Sequence, residues 1–209
     1  TFNTNVSDLC AEGYATKLQD GGLYGIIKAV AMIGENGYAT IAEAIAAAKA
    51  AFPGWSATPA IKRAQILYKV RELIMRDMEE LTMCVACENG KVWGEAEGDV
   101  LKAKEGTELA TQVPSLMMGE CLMDASKGYD TVKYRESMGV FAGIVPVNFP
   151  AMIPFGWMSP VCIATGNTMV LKAASLTPKT AMMFAKIYKE AGVPDGVINI
   201  VTCSRNEVN

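Results

Sequence analysis

Histidine is absent from all 209 residues, and that single gap removes a large part of enzyme chemistry. Ser-His-Asp and Cys-His nucleophile activation, histidine-ligated zinc and imidazole proton relays cannot be built from this chain. Its chemistry has to come from carboxylates, lysines, amides, thiols or a bound cofactor. Excess positive charge is missing too. Nineteen Lys and Arg against 22 Asp and Glu leave a net charge of −3 and a pI near 5.2. Nucleic acid and anionic membrane surfaces are poor partners for such a chain, because phosphate calls for a basic stripe. No G-x-G-x-x-G follows any apolar run, so the usual dinucleotide fingerprint is lacking. A membrane span is also lacking. No charge occurs from Ser137 to Leu171, yet Pro146, Pro150, Pro154 and Pro160 interrupt that stretch, and a spanning helix needs about 20 continuous apolar residues. The opening Thr1-Phe2-Asn3 is polar and gives no signal peptide.

What is present is a globular balance, 51% hydrophobic and 20% charged, in a chain long enough to bury a real core. Six cysteines stand at positions 10, 84, 87, 121, 162 and 203 with irregular spacing, and are expected to be reduced in a cytoplasmic protein. Cys84-x-x-Cys87 reads as two small residues one helical turn apart rather than half of a metal site. The first 25 residues show little periodicity and are expected to be extended or loop. Thr40-Ile41-Ala42-Glu43 is a capping box, opening a helix whose apolar stripe is Ile41, Ile45, Ala48 and Phe52 and which is expected to stop at Pro53-Gly54. Thr58-Pro59 supplies an N-cap and N1 for a second helix with the stripe Leu67, Val70, Leu73 and Ile74. A third helix runs from about Asp77 to Asn89-Gly90, a left-handed cap signal. A fourth covers roughly Glu95 to Thr111.

The period then changes. Glu120 to Asp124 and Thr131 to Arg135 predict a hairpin. Beyond Gly139 the pattern alternates: strand Val140 to Val145, helix Ile153 to Ala164, strand Thr168 to Leu171, helix Pro178 to Ala191 closed by Gly192, and strand Val197 to Val201. Strands apolar on both faces, alternating with helices, call for a parallel sheet covered by helices. The expected fold is therefore α/β and Rossmann-like, with helices on both faces, preceded by a helical segment and interrupted by a β-hairpin arm. Its expected parts are a helical region at 1–114, the arm at 115–137 and a βαβαβ region at 138–209. The last strand ends near the chain end with no helix after it, which reads as a fragment.

In such sheets ligands bind beyond the carboxyl ends of the strands. Two loops leave those ends, one from Pro146 to Pro150 and one from Lys172 to Thr177. Asn148 can donate two hydrogen bonds from its amide into the crevice, toward an oxyanion or a carbonyl oxygen. Its ordinary role at such a place is helix N-cap or turn former, and spacing alone favours that role. Lys172 could meet ribose hydroxyls or phosphate, or simply reach solvent.

The string from Phe141 through Val145-Pro146-Val147-Asn148-Phe149-Pro150-Ala151-Met152-Ile153-Pro154, followed by Gly166-Asn167-Thr168 and Val170-Leu171-Lys172, resembles the aldehyde dehydrogenase superfamily. Glu97-Gly98-Asp99-Val100 and Ser115-Leu116-Met117-Met118-Gly119-Glu120 resemble its CoA-acylating methylmalonate-semialdehyde branch. The resemblance covers roughly residues 38 to 203 and includes Glu88-Asn89-Gly90-Lys91. It implies an NAD- or NADP-dependent oxidation of an aldehyde to an acyl-CoA or acid through a cysteine thioester, with CoA as a possible cosubstrate. Asn148 would supply an oxyanion-hole amide. Ile144, Val145, Pro146 and Val147 would line the cofactor near its nicotinamide and ribose, and Lys172, with Ala174 and Ser175 beside it, would meet the adenine-side ribose. The hairpin matches a subunit-bridging arm, so a homo-oligomer of the full protein is expected.

Three departures qualify the resemblance. The family's nucleophilic cysteine lies later in the chain than residue 209, and none of the six cysteines here sits in its motif. NAD-linked members commonly carry a glutamate where this chain has Ser175, so NADP is expected to be tolerated. The branch's substrate-carboxylate arginine appears here as Lys102, a cation without the bidentate fork; Lys102 reads equally well as an exposed helix residue. The competing reading is a non-catalytic nucleotide-binding or assembly fragment.

Overall fold

The protein is described by a computed structural model that covers residues 40–202. The expectations for the first 25 residues, and for Cys10 and Cys203, lie outside those residues. Five helices come first: α1 (Ile41–Ser56), α2 (Ala60–Arg76), α3 (Met78–Asn89), α4 (Trp93–Ala110) and the single turn α5 (Val113–Leu116). The antiparallel hairpin β1 (Glu120–Ser126) and β2 (Tyr129–Lys133) follows. Then come β3 (Val140–Ile144), a π-helical turn (Ile153–Met158), α6 (Ser159–Ala164), β4 (Thr168–Lys172), α7 (Pro178–Ala191) and β5 (Ile198–Val201). β3, β4 and β5 form a parallel sheet in that order, with Ile144 opposite Lys172 and Lys172 opposite Val201.

Both faces of the sheet are covered, as the buried strands required. Val170 and Val201 pack on Ala44 and Ala48 of α1. Met169, Leu171, Ile198 and Ile200 point the other way, into the main core with α2, α3, α4 and α7. There Phe155 stacks on Phe184 with centroids 4.3 Å apart and planes 3° from parallel. Such a pair adds about 0.5–1.5 kcal/mol beyond its burial. The chain entering β3 is held from the next strand: the backbone N–H groups of Met138 and Gly139 both donate to Asn167 Oδ1, at 2.7 and 3.0 Å.

Several boundaries differ from expectation, each for a local reason. α1 does not stop at Pro53 but continues through it to Ser56, because Trp55 is buried and its indole donates to the Ile163 carbonyl at 2.9 Å. The alanines of α1, rather than Ile45, face the sheet, since the helix backbone lies too close for long side chains. A Cβ on Gly196 would stand 2.8 Å from the Ala47 carbonyl oxygen. Thr58 does not cap α2; its hydroxyl donates backwards to Gly54. Among the described residues β3 has a strand neighbour on one side only, and Phe141, Ala142 and Ile144 are exposed. Cys84, Cys121 and Cys162 are free.

The segment expected as one helix from Ile153 to Ala164 is split. The Ser159 N–H and hydroxyl both donate to the Pro154 carbonyl five residues back, and Pro160 has no N–H to carry an α ladder through. This wider turn is seated against α4 with no side chain between them. A Cβ on Gly106 would lie 2.2 Å from the Gly156 carbonyl oxygen, and one on Gly156 would lie 2.8 Å from that of Lys102. Gly106→Ala is therefore expected to destabilise the fold by about 1–3 kcal/mol, as overpacking does. Gly98→Ala on the same helix, where a Cβ meets nothing within 4 Å, is expected to be neutral or stabilising by up to about 1 kcal/mol. Chemical denaturation of the two variants checks the contrast.

Candidate functional site

Because β3 and β4 are parallel neighbours in register, the loops that follow them emerge side by side. Asn148 stands in the first and Lys172 opens the second, after the Val145 N–H has donated to the Lys172 carbonyl at 3.3 Å. Asn148 is exposed, and among the described residues its amide makes no hydrogen bond. It is not an N-cap: the turn beginning at Ile153 takes its N-cap position at Met152, with no side-chain cap. Lys172 is half-buried, and its ammonium has no ion pair among the described residues. Ile144, Pro146 and Val147 are exposed, whereas Val145 is buried and offers a ligand only main-chain atoms. Ala174 is buried and Ser175 half-buried on the neighbouring loop. Lys102 lies on α4, exposed, with its ammonium 2.6 Å from Glu105.

The first loop is clamped from below by residues that sequence reasoning noted only as parts of motifs. Asn89, the last residue of α3, donates from Nδ2 to the Val147 carbonyl at 2.7 Å. Gly90 then takes φ 75°, a left-handed turn open to glycine at little cost, and the chain reverses so that Lys91 points at the same loop. The Lys91 ammonium lies 4.1 Å from the centroid of the Phe149 ring and 3.1 Å from Asp99 Oδ2. Asp99 Oδ1 accepts from the Met152 N–H at 2.7 Å. Residues 147, 149 and 152 are thus each tied to the end of α3 or the start of α4. The cap at Gly90 was a visible signal; the pairing of Lys91, in the linker, with Asp99 on α4 was not.

The second loop is held from the same helix. Glu88 accepts from the Lys179 N–H at 2.6 Å, the Thr180 N–H at 2.8 Å and the Thr180 hydroxyl at 2.8 Å. This carboxylate meets the orphan N–H groups at the start of α7, where the helix dipole favours an anion. Burial nevertheless pushes the Glu88 carboxyl above its ordinary range, against those three bonds. Burial also pushes the Cys84 and Cys162 thiols up to about 12, which leaves both protonated and unreactive near neutrality. Cys121 sits on the hairpin. Among the described residues, no group of three or more Cys, Asp or Glu could hold a metal ion, and no helix is long and apolar enough to cross a membrane.

A pair of unpaired polar groups at adjacent parallel strand ends, on a sheet covered by helices, is the setting in which known relatives become decisive. The sequence profile of the Aldehyde dehydrogenase family matches residues 27–209. The chain belongs to the aldehyde dehydrogenase family. A Caenorhabditis elegans relative, designated an acylating methylmalonate-semialdehyde/malonate-semialdehyde dehydrogenase, is 46% identical over 180 residues, 86% of this chain and 34% of the relative. Malonate-semialdehyde dehydrogenase 2 of Geobacillus kaustophilus is 47% identical over 167 residues, 80% of this chain and 34% of the relative. A Sinorhizobium meliloti 1021 protein solved in complex with NAD has TM-score 0.78 and 36% identity, covering 80% of this chain and 34% of that one. An NADP-dependent enzyme of Escherichia coli has TM-score 0.76 and 35% identity, covering 79% and 34%. This aldehyde dehydrogenase chain thus spans about a third of the length of the relatives it matches.

The raised Glu88 value has a consequence for stability. The folded protein holds that proton more tightly than the unfolded chain. This contribution is fully present below the ordinary glutamate value and is lost as pH rises through the raised one. Glu88→Gln is neutral at every pH. The stability difference between wild type and variant, followed by thermal unfolding from about pH 4 to pH 7, is expected to shift in favour of the variant as pH rises. A difference independent of pH would contradict burial as the cause.

Proposed function

We propose that this chain is the nucleotide-binding part of an NAD(P)-dependent dehydrogenase of malonate-type semialdehydes, which yields an acyl-CoA or an acid through a cysteine thioester formed by another part of the protein. The observation that carries this reading is the placement of Asn148 and Lys172. Both are polar groups with no partner among the described residues, at adjacent strand ends, beside the exposed apolar Ile144 and Val147. That surface fits a dinucleotide, whose rings need an apolar ledge and whose riboses need donors. When bound, the nicotinamide accepts the hydride, and the protein supplies geometry and charge. Ile144 through Val147 line its nicotinamide end, Val145 through main-chain atoms alone. Lys172 donates to the adenine-side ribose, with Ala174 and Ser175 forming the wall beside it. Asn148 donates its amide to the oxygen of the aldehyde carbon as a cysteine attacks, holding the negative charge that develops there.

The designations of the relatives support the substrate class, and that of the C. elegans relative supports CoA as acyl acceptor. Lys102, exposed on α4 and paired in solvent with Glu105, is the cation proposed for the substrate carboxylate, without an arginine's bidentate fork. Division into a helical region at 1–114, an arm at 115–137 and a βαβαβ region at 138–209 follows the same scheme. Leu122, Met123, Tyr129, Val132 and Tyr134 are all exposed on the hairpin, which suits an arm that is covered in a homo-oligomer. A cytoplasmic setting belongs to the proposal. A non-catalytic nucleotide-binding fragment is the competing reading. A gene that continues beyond Asn209 into a cysteine-bearing half favours the enzyme, and one that stops there favours the fragment.

In the full-length enzyme, Asn148→Ala is expected to lower kcat by about 10² to 10³, the usual cost of one oxyanion donor. Unchanged turnover with malonate-type semialdehydes, with and without CoA, would refute the role. Ser175 leaves out a carboxylate that would repel a 2′-phosphate, so kcat/KM with NADP is expected within about tenfold of that with NAD. A larger NAD preference would count against Ser175 as the cause.

A further inference from the structure

We infer that Asn89 is a positioning residue of this site, acting through Asn148, and that the segment from Glu88 to Lys91 sets the spacing between the two loops that carry the site. The inference rests on Asn148 as the oxyanion donor. It starts from the planarity of the peptide bond. The Val147 carbonyl belongs to the same rigid unit as the Asn148 N–H and Cα. A hydrogen bond that fixes the direction of that carbonyl therefore fixes the plane from which the Asn148 side chain departs. Asn89 makes that bond at 2.7 Å.

The donor is itself held on both sides. Before it, Glu88 is fixed by three donors at the start of α7. After it, the Gly90 N–H donates to the Ala86 carbonyl at 2.9 Å and the chain turns left-handed. Lys91 and Asp99 then fix the far side of the loop at Phe149 and Met152. Consecutive residues of one helix end thus reach both loops, Glu88 the one leading from Lys172 into α7 and Asn89 the one carrying Asn148. Among the described residues, Asn148 makes no side-chain bond that could orient it otherwise. An amide that must meet a developing oxyanion is useful only when held before the reaction begins, and a displacement of about 1 Å can cost on the order of 100-fold in rate.

A plainer role for Asn89, satisfying one exposed carbonyl and adding a little stability, makes a different forecast. The test is a double-mutant cycle in the full-length enzyme with Asn89→Ala, Asn148→Ala and the combination, recording kcat, the KM for cofactor and the thermal midpoint. Asn89→Ala is expected to lower kcat by about tenfold with cofactor KM changed less than about twofold. Once Asn148 is already Ala, it is expected to cost nothing further, because residues that act through one another are not additive. Asn89→Asp keeps the shape but turns an acceptor toward the Val147 carbonyl, and is expected to lose at least as much; wild-type turnover in that variant would overturn the inference. An equal loss from Asn89→Ala in both backgrounds, or none in either, would also overturn it. Loss in Asn148→Ala with none in Asn89→Ala would sink this inference alone. No loss in Asn148→Ala would remove the oxyanion role, and the positioning role with it.

Discussion

The Asp99 side chain has no exposure to solvent, and a carboxylate removed from water must have its charge met inside the protein. Among the described residues it is met by two groups: the Lys91 ammonium on one oxygen and the Met152 N–H on the other. Removing either would leave a buried charge uncompensated, a change that typically costs about 3–5 kcal/mol. The pair adds little net stability over an apolar replacement. What it adds is direction, because it can be satisfied in only one arrangement of α3, α4 and the loop after β3. The bond from Asn89 to Val147 and the stack of Lys91 on Phe149 are made within that arrangement.

This constraint connects packing to function. The clamped loop leads directly into the π-helical turn, which is itself seated glycine against glycine on α4. The backbone on both sides of Asn148 is therefore determined by rigid neighbours, while its exposed side chain makes no hydrogen bond among the described residues. An exposed amide left to water costs almost nothing in stability. It remains available as a donor, as the proposed oxyanion role requires. The second loop is organised the same way: Glu88 fixes the start of α7, while the Lys172 ammonium stays free of ion pairs among the described residues.

Much of this was legible in the sequence. Gly90 and Gly192 marked helix ends that the structure places at φ 75° and 94°, and the continuous apolar runs marked β4 and β5 because a strand covered on both faces has no other composition. Legibility failed where tertiary contacts decide. Pro53 looked like a stop because the anchor of Trp55 on Ile163 is 108 residues away in sequence. β3 is as apolar as β4, but among the described residues it pairs on one side only, so its outer side chains stay exposed. Asn148 and Lys172 were proposed from strand ends and resemblance together, and the structure puts them after neighbouring strands. Asn89, Lys91 and Asp99 were missed as members of the site, since a hydrogen bond to a carbonyl 58 residues on leaves no local pattern. Lys102 came from the resemblance, with an exposed helix residue as the equal alternative, and it lies exposed on α4 beside Glu105.

The most direct test of the whole account is a crystal structure of the full-length protein with NAD(P) bound. The account places the adenine-side ribose within hydrogen-bond reach of the Lys172 ammonium and the nicotinamide end along Ile144 to Val147, with the Asn89–Val147 bond intact and the Asn148 amide facing the reacting carbon. A cofactor seated elsewhere, with Lys172 and Asn148 both turned to solvent, would contradict it.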